Sequence, residues 1–141
     1  MGARRDGRER ALQALYQLEM TPGNSAAEAL EAAWAAAEEG TRKEPEAIKF
    51  AQELVEGVIA HQAEIDRLIE QHSHNWRLDR MGRIDRNVLR LGVFELKYRP
   101  DIPKKVSLNE AVELGKNFGT EESSAFVNGL LDRVAAALGK S

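Results

Sequence analysis

The sequence predicts an all-α fold, a compact helical domain of six or seven helices, and three observations carry this prediction. Helix-forming side chains outnumber β-branched ones, with 20 Ala and 15 Leu against 8 Val, 6 Ile and 3 Thr. No segment alternates apolar and polar residues up to an Asn-Gly or Asp-Gly turn, the pattern of a β-hairpin. Apolar residues nearly surround the predicted helix axis over 84–98, which is typical of a helix at the centre of a fold.

Start and stop signals in the first half of the chain predict three helical stretches. Ser25 followed by Glu28 makes a capping box, in which each side chain bonds a backbone N–H of the other residue. Pro45 occupies the place of a first-turn proline. The apolar stripe after it covers about 27 residues, which is long for one globular helix, so we expect a break near His61. The predicted spans are 5–20, 25 to about 40, and 45 to about 71.

The second half of the chain is punctuated in the same way. Pro100 and Pro103 predict an extended connection, because the residue before a proline avoids helical backbone. Ser107 followed by Glu110 predicts a second capping box at the start of a helix. The predicted spans are 84–98, 107 to a stop at Gly119, and a last helix that begins between Thr120 and Ser123.

Several classes of function are disfavoured by what the sequence lacks. It has no cysteine, which removes disulfides, thiolate catalysis and iron–sulfur ligation. It contains no glycine-rich phosphate loop and no Gly-x-Ser-x-Gly or His-Glu-x-x-His motif. The histidines His61, His72 and His74 have no carboxylate partner at metal-ligand spacing. We therefore expect no enzyme, no cofactor and no metal.

Hydropathy and charge then bear on location and partners. No run approaches the roughly 20 apolar residues of a membrane helix, and no apolar segment follows the N-terminal arginines, so we expect a cytoplasmic protein. The net charge of −3 conceals local patches: residues 1–10 carry +2, 19–70 carry −8, 76–105 carry +5 and 106–141 carry −2. A nucleic acid would meet these patches rather than the average.

The first basic feature is an arginine arm, formed by Arg4, Arg5 and Arg8. On a helix these side chains lie within about 100° of one another and in line with Leu12 and Leu15. Cations at a helix N-terminus oppose the macrodipole and cost a few tenths of a kcal/mol each. Because arginine forks suit phosphate recognition, we expect the arm to bind phosphate. The alternative is a solvated terminus without a ligand.

The second basic feature is a stripe along the predicted central helix. Arg83, Arg86, Arg90 and Lys97 fall within about 60° of arc and would form its one exposed edge. Two interpretations have equal weight: a surface for a polyanion, or a set of charges neutralised by the acidic stretch at 53–70.

Longer strings in the chain resemble the NusB family of bacterial transcription antitermination proteins. The arginine-rich start leads into A-L-Q-A-L-Y at 11–16, and R-N-V-L-R-L-G-V-F-E-L follows at 86–96. The order L-N-E-A-V-E-L at 108–114, F-G at 118–119 and F-V-N-G-L-L-D at 126–132 is specific to that family. The resemblance covers most of the chain and is weakest over 20–45.

The resemblance implies a single domain over 1–141 made of two three-helix bundles, with subdomains at about 1–75 and 76–141, and no catalytic activity. It implies binding of the single-stranded BoxA element of ribosomal RNA leader transcripts together with NusE, the ribosomal protein S-ten of the small subunit. In the family this assembly, with RNA polymerase and other Nus factors, resists termination.

Family positions also imply site residues. The resemblance places the contacts with NusE at Asp85 and Arg86. The RNA-binding residues it implies are Arg4, Arg5, Arg8, His72, Arg90, Phe118, Glu122 and Phe126. Phenylalanines at helix ends are more often core residues than platforms for base stacking, and position alone gives the same interpretation for Phe118 and Phe126.

One departure from the family pattern lies in the arm. Asp6 and Gly7 interrupt the basic run, and we expect both to weaken helicity and RNA affinity. The alternative function is a protein-binding helical adaptor or a homodimer without specific RNA binding.

Overall fold

The computed structural model describes residues 2–41, 43–74 and 76–140, and over those residues it contains seven α-helices and one 3₁₀ turn. No strand occurs in this part of the chain, so the predicted all-α class is confirmed. The helices are α1 Ala3–Met20, α2 Ala26–Ala35, α3 Pro45–Ala60, α4 Gln62–Gln71, α5 Arg83–Tyr98, α6 Lys104–Phe118 and α7 Ser123–Ala137, with the 3₁₀ turn Leu78–Arg80 between α4 and α5.

The chain forms two compact units that divide between Ile59 and Ala60. The first unit holds α1, α2 and nearly all of α3. The second holds α4 to α7 and the 3₁₀ turn, since α4 contacts α5 and α7. The division therefore precedes α4, whereas the sequence analysis placed it near residue 75.

Predicted helix boundaries in the first half of the chain are confirmed at three places. The Ser25 backbone N–H donates to Glu28 Oε1 at 2.8 Å, and the Glu28 N–H donates to Ser25 Oγ at 3.1 Å, so the capping box forms. These hydrogen bonds, the Ser25 backbone bond above all, lower the pKa of Glu28. α3 begins at Pro45, and one helix ends and the next begins on either side of His61.

The end of α2 differs from its prediction. The helix ends at Ala35 rather than near Gly40, and Trp34 is the last side chain that it buries. The residues between Trp34 and Gly40 favour a helix only through their intrinsic propensity. Without packing against the core, intrinsic propensity does not keep a short helix folded. Gly40 itself adopts a positive φ of 92°, outside helical backbone.

At the centre of the second unit lies α5, as its apolar sequence predicts. Every residue from Asn87 to Leu96 is buried, and α4, α6 and α7 all contact this helix. Gly92 permits the closest approach, because a Cβ there would lie 2.6 Å from Leu131 Cδ1 on α7. The polar residues inside this run are Asn87, Arg90 and Glu95.

The predicted capping box at Ser107 is wrong. Pro103 is the residue before α6, which begins at Lys104, three residues earlier than expected. Ser107 lies inside the helix with its side chain buried, and its hydroxyl donates to Glu95 Oε1 at 2.9 Å. Ser107 therefore pairs a buried carboxyl on α5 rather than capping its own helix.

Replacing Gly92 by alanine is expected to destabilise the protein by about 1–3 kcal/mol, because the new methyl group overlaps the Leu131 side chain. Urea unfolding followed by circular dichroism measures the change. The matched control is Gly129→Ala on α7, where the nearest atom to a new Cβ is the end of the Arg133 side chain at 3.5 Å. This control is expected to gain about 0.5–1 kcal/mol of helix propensity. Equal stabilities for the two variants would contradict the close α5–α7 packing.

Candidate nucleic-acid interface

In the first unit, the arginine arm is organised around one aromatic ring. The guanidinium carbons of Arg4 and Arg8 lie 5.1 Å and 5.2 Å from the centroid of the Phe50 ring, which α3 supplies. Cation–π contacts at such distances are worth about 0.5–2 kcal/mol each, more where water is excluded. We call Phe50 with these two arginines the Phe50 clamp.

Gly7 makes the Phe50 clamp possible. A Cβ at Gly7 would lie 3.0 Å from both the Ala47 carbonyl oxygen and Phe50 Cδ2, so only glycine lets α1 approach α3 this closely. The sequence analysis counted Gly7 as a residue that weakens the helix. In the structure it lies inside α1 and is buried against α3, which compensates its low helix propensity.

The three arginines of the arm occupy different environments. Arg4 is exposed and Arg5 is half-buried, whereas Arg8 is only 3% exposed. The arm is therefore not exposed along its whole length, because Arg8 is buried beside Phe50. Arg10 is buried as well, with its guanidinium carbon 5.9 Å from the Trp34 ring. Burial raises the pKa of the adjacent Glu9, and the charge of Arg10 opposes that rise.

The basic stripe on α5 is partly neutralised inside the second unit. Arg90 is 7% exposed, and its Nε and Nη2 donate to the two carboxylate oxygens of Asp66 on α4 at 2.8 Å and 3.0 Å. Its Nη1 donates to Asn87 Oδ1 at 3.1 Å. Lys97 pairs with Glu64, also on α4. The expectation of one exposed basic edge is thus wrong for Arg90, which does not present its guanidinium at the surface.

Asp85 and Arg86, which the resemblance implies as NusE contacts, stabilise the start of α5. Asp85 accepts a hydrogen bond from Ser123 Oγ at 2.6 Å, which joins α5 to α7. Arg86 Nη1 donates to the carbonyl oxygens of Met81, at 3.1 Å, and Leu78, at 3.4 Å. Both side chains are half-buried, so they hold local structure as well as bordering the surface.

A pocket of about 380 Å³ opens beside this start of α5. It brings together three residues that the sequence analysis singled out: Asp85, Glu122 and Phe126. Its wall also includes Trp76 and Arg80, which that analysis missed. The remaining lining residues are Met81 and Gly82. We call this the Trp76 pocket.

Trp76 is the most exposed of the large hydrophobic side chains described, at 57% of its surface. It lies between α4 and the 3₁₀ turn, followed by Arg77 and Arg80. Trp76 thus lies in a polar, basic connection and not on the apolar face of a predicted helix. This position in the sequence identifies Trp76 as a surface residue rather than a core residue.

His72 and Phe118 do not line the Trp76 pocket. His72 follows α4, and its Nδ1 donates to the Leu68 carbonyl oxygen at 2.8 Å, while its own carbonyl accepts from Arg133 Nε at 3.0 Å. Phe118 is the last residue of α6 and is half-buried.

The described residues contain no group of three or more metal-ligating side chains arranged around a common point. Nor does any helix among them combine the length and the hydropathy that crossing a bilayer requires.

An all-helical chain with arginines at one helix end and an exposed aromatic pocket has the features of helical nucleic-acid-binding proteins. Residues 5–136 match the model of the NusB family. The chain is 79% identical over 140 residues to the transcription antitermination protein NusB of Myxococcus xanthus, covering 99% of each protein. It is 48% identical to NusB of Geotalea uraniireducens, over 98% of this chain and 97% of the relative. The chain belongs to the NusB family.

Solved structures agree with this assignment. NusB of T. maritima superposes with a TM-score of 0.82 at 38% identity, covering 94% of this chain and 90% of that one. A crystal structure of the antitermination factors NusB and NusE in complex with dsRNA gives a TM-score of 0.83 at 31% identity, over 96% and 97% of the two chains.

Replacing Arg90 by alanine is expected to lower the free energy of unfolding by about 3 kcal/mol, because Asp66 would keep a largely buried charge without its partner. Arg83→Ala removes an exposed arginine from the same helix and is expected to change stability by less than about 0.5 kcal/mol. Thermal and urea unfolding of both variants measure the difference. If Arg90→Ala has the same free energy of unfolding as the wild type, the ion pair does not stabilise the fold, and Arg90 is again a candidate for a ligand contact.

Proposed function

We propose that this chain is a transcription antitermination factor. In this proposal it binds single-stranded BoxA RNA of ribosomal RNA leaders together with NusE, and the complex helps RNA polymerase resist termination. The observation that carries the proposal is the match to NusB proteins over almost the whole chain, at up to 79% identity among the relatives compared. The related structure of NusB and NusE with dsRNA supports RNA and NusE as the two ligands.

The arginine arm supports RNA as a ligand in physical terms. Arg4 and Arg5 lie on the first turn of α1, where the helix macrodipole repels cations and a phosphate group offsets that repulsion. We assign the phosphate contacts of the arm to these two residues. Arg8, buried in the Phe50 clamp, holds the arm on α3 instead.

The Trp76 pocket supports RNA as a ligand as well. We propose that Phe126 and Glu122, which line it, and Phe118 and His72, which lie outside it, face the RNA. Single-stranded RNA is bound by stacking of bases on aromatic rings beside a basic track. We propose the NusE contact at the start of α5, around Asp85 and Arg86, with Asp85 at the border between NusE and the RNA.

This function requires no catalytic step and no cofactor. The proposed partners are BoxA RNA, NusE, and the elongating RNA polymerase with its other Nus factors. Nascent RNA is made in the bacterial cytoplasm, and we propose that location. A helical adaptor or homodimer that ignores RNA is the competing function, and the following titration separates the two.

The deciding experiment is a fluorescence anisotropy titration of labelled BoxA-type RNA against a scrambled RNA, near physiological salt and with or without NusE. The proposal expects preferential binding of BoxA RNA, tightened by NusE. Equal weak binding of both RNAs, unchanged by NusE, would contradict it. Light scattering over a range of concentrations then tests for a dimer that persists in the presence of RNA.

Within this function, the double variant Arg4→Ala and Arg5→Ala is expected to weaken RNA binding and to lower unfolding stability by no more than about 0.5–1 kcal/mol, the value of the exposed contact between Arg4 and Phe50. The slope of log K against log salt should fall by about 1.4, since each single-strand phosphate contact contributes about 0.7. Arg8→Ala is expected instead to lower unfolding stability by about 2 kcal/mol through lost packing on Phe50.

The matched control for these variants is Lys49→Ala, which removes one exposed cation from α3 in the same unit. It should leave both the salt slope and the stability close to wild type. A salt slope that falls as much for Lys49→Ala as for the arm variants would mean that the arm supplies only general positive charge.

A further inference from the structure

Building on the proposed function, we propose that the Trp76 pocket holds a single unpaired base of the RNA. In this arrangement the base stacks on Trp76, and its amino-bearing edge faces Asp85 and Glu122. The pocket thereby selects cytosine, adenine or guanine over uracil at one position.

The walls of the pocket are complementary to a ligand that has a flat, apolar face. Trp76, which is 57% exposed, lines the pocket together with Phe126 and Met81. The volume of about 380 Å³ lies in the range of small-molecule sites, roughly 300–1,000 Å³. Stacking on an aromatic side chain is the main means by which proteins hold unpaired bases.

The hydrogen-bonding groups of the pocket specify the edge of the base. The Thr120 backbone N–H donates to Ser123 Oγ at 2.9 Å, and the Ser123 hydroxyl in turn donates to Asp85 Oδ1 at 2.6 Å. This chain of bonds fixes the orientation of the Asp85 carboxylate, which is able only to accept further hydrogen bonds. Amino groups of cytosine, adenine and guanine donate to such an acceptor, whereas uracil has no amino group and its single N3–H donor lies between two carbonyl oxygens whose lone pairs oppose the carboxylates.

The charges of the lining favour a base over the other occupants. Two carboxylates, Asp85 and Glu122, repel a phosphate from the interior of the pocket. Arg80 belongs to the same wall and offsets one of these two charges, while the aromatic wall suits a flat, neutral ring. A neutral base with a donor edge satisfies the carboxylates, and the phosphate beside it has Arg80 as its partner.

The test uses the intrinsic fluorescence of Trp76 in the full chain. Trp34, the only other tryptophan of the sequence, is buried in the first unit, and Trp34→Phe leaves Trp76 as the sole indole. BoxA-type RNA, and versions with an abasic site at each position in turn, are titrated with NusE present. We expect RNA to quench Trp76, and one abasic position to abolish the quenching and to weaken binding by roughly 5- to 150-fold.

Base substitution at that position then tests selectivity. Uracil there should bind roughly 5- to 150-fold more weakly than the preferred amino-bearing base. Asp85→Asn keeps an acceptor for the Ser123 hydroxyl and adds an amide donor, so it should abolish the preference or reverse it toward uracil. Asp132→Asn removes the same charge from an exposed site on α7 and should keep the preference. Trp76→Phe should retain affinity, and Trp76→Ala should lose roughly 5- to 150-fold.

Each result decides for or against the pocket. RNA that binds by anisotropy but leaves Trp76 emission unchanged would overturn the base pocket and leave the proposed function intact. Quenching by NusE alone, with no further change on adding RNA, would assign the pocket to the protein partner and also overturn it. Failure of BoxA RNA to bind at all, with NusE present, would instead overturn the proposed function.

Discussion

A helix that is buried on nearly every side has to satisfy its polar side chains within the fold, and this constraint on α5 organises the second unit. Arg90 reaches Asp66 on α4, and Glu95 accepts from Ser107 on α6. Asn87 donates to the Arg83 carbonyl oxygen of its own helix. A buried charge without such partners would cost several kcal/mol of stability. The hydrogen bonds to α4 and α6 therefore determine which helices pack against α5 and at which position along its axis. By positioning α5, these hydrogen bonds also position the surface at the start of this helix.

The sequence predicts much of this fold because helix boundaries are local. The Ser25 capping box, the proline that starts α3 and the break at His61 each depend on residues within a few positions of one another. The errors concern side chains whose partners are distant in the chain. Asp66 precedes Arg90 by 24 residues, and Glu95 precedes Ser107 by 12. Periodicity places such residues on a helix face, but it does not say which other helix covers that face.

The same reasoning explains the outcome at the candidate site. Family positions implied RNA contacts at Glu122 and Phe126 and a NusE contact at Asp85, and all three residues line one pocket. Trp76 and Arg80 join them through a connection without regular periodicity, so no predicted helix face includes them. In the arm, Arg8 was indistinguishable from Arg4 in the sequence because both lie on one face of α1. Both guanidinium groups contact Phe50, some forty positions later, and only the folded structure shows that Arg8 is buried there while Arg4 is exposed.

The Phe50 clamp has a consequence for how fast RNA is captured. Attraction between a desolvated guanidinium and an aromatic face is screened by salt less than attraction to a phosphate in open solvent. The Arg8 end of the arm is therefore held on α3 by a contact that salt weakens little. Under the proposed function, RNA that meets this ordered end does not have to compensate the conformational entropy of ordering it. Association is then expected to proceed at the rate of electrostatically guided diffusion, without a preceding folding step.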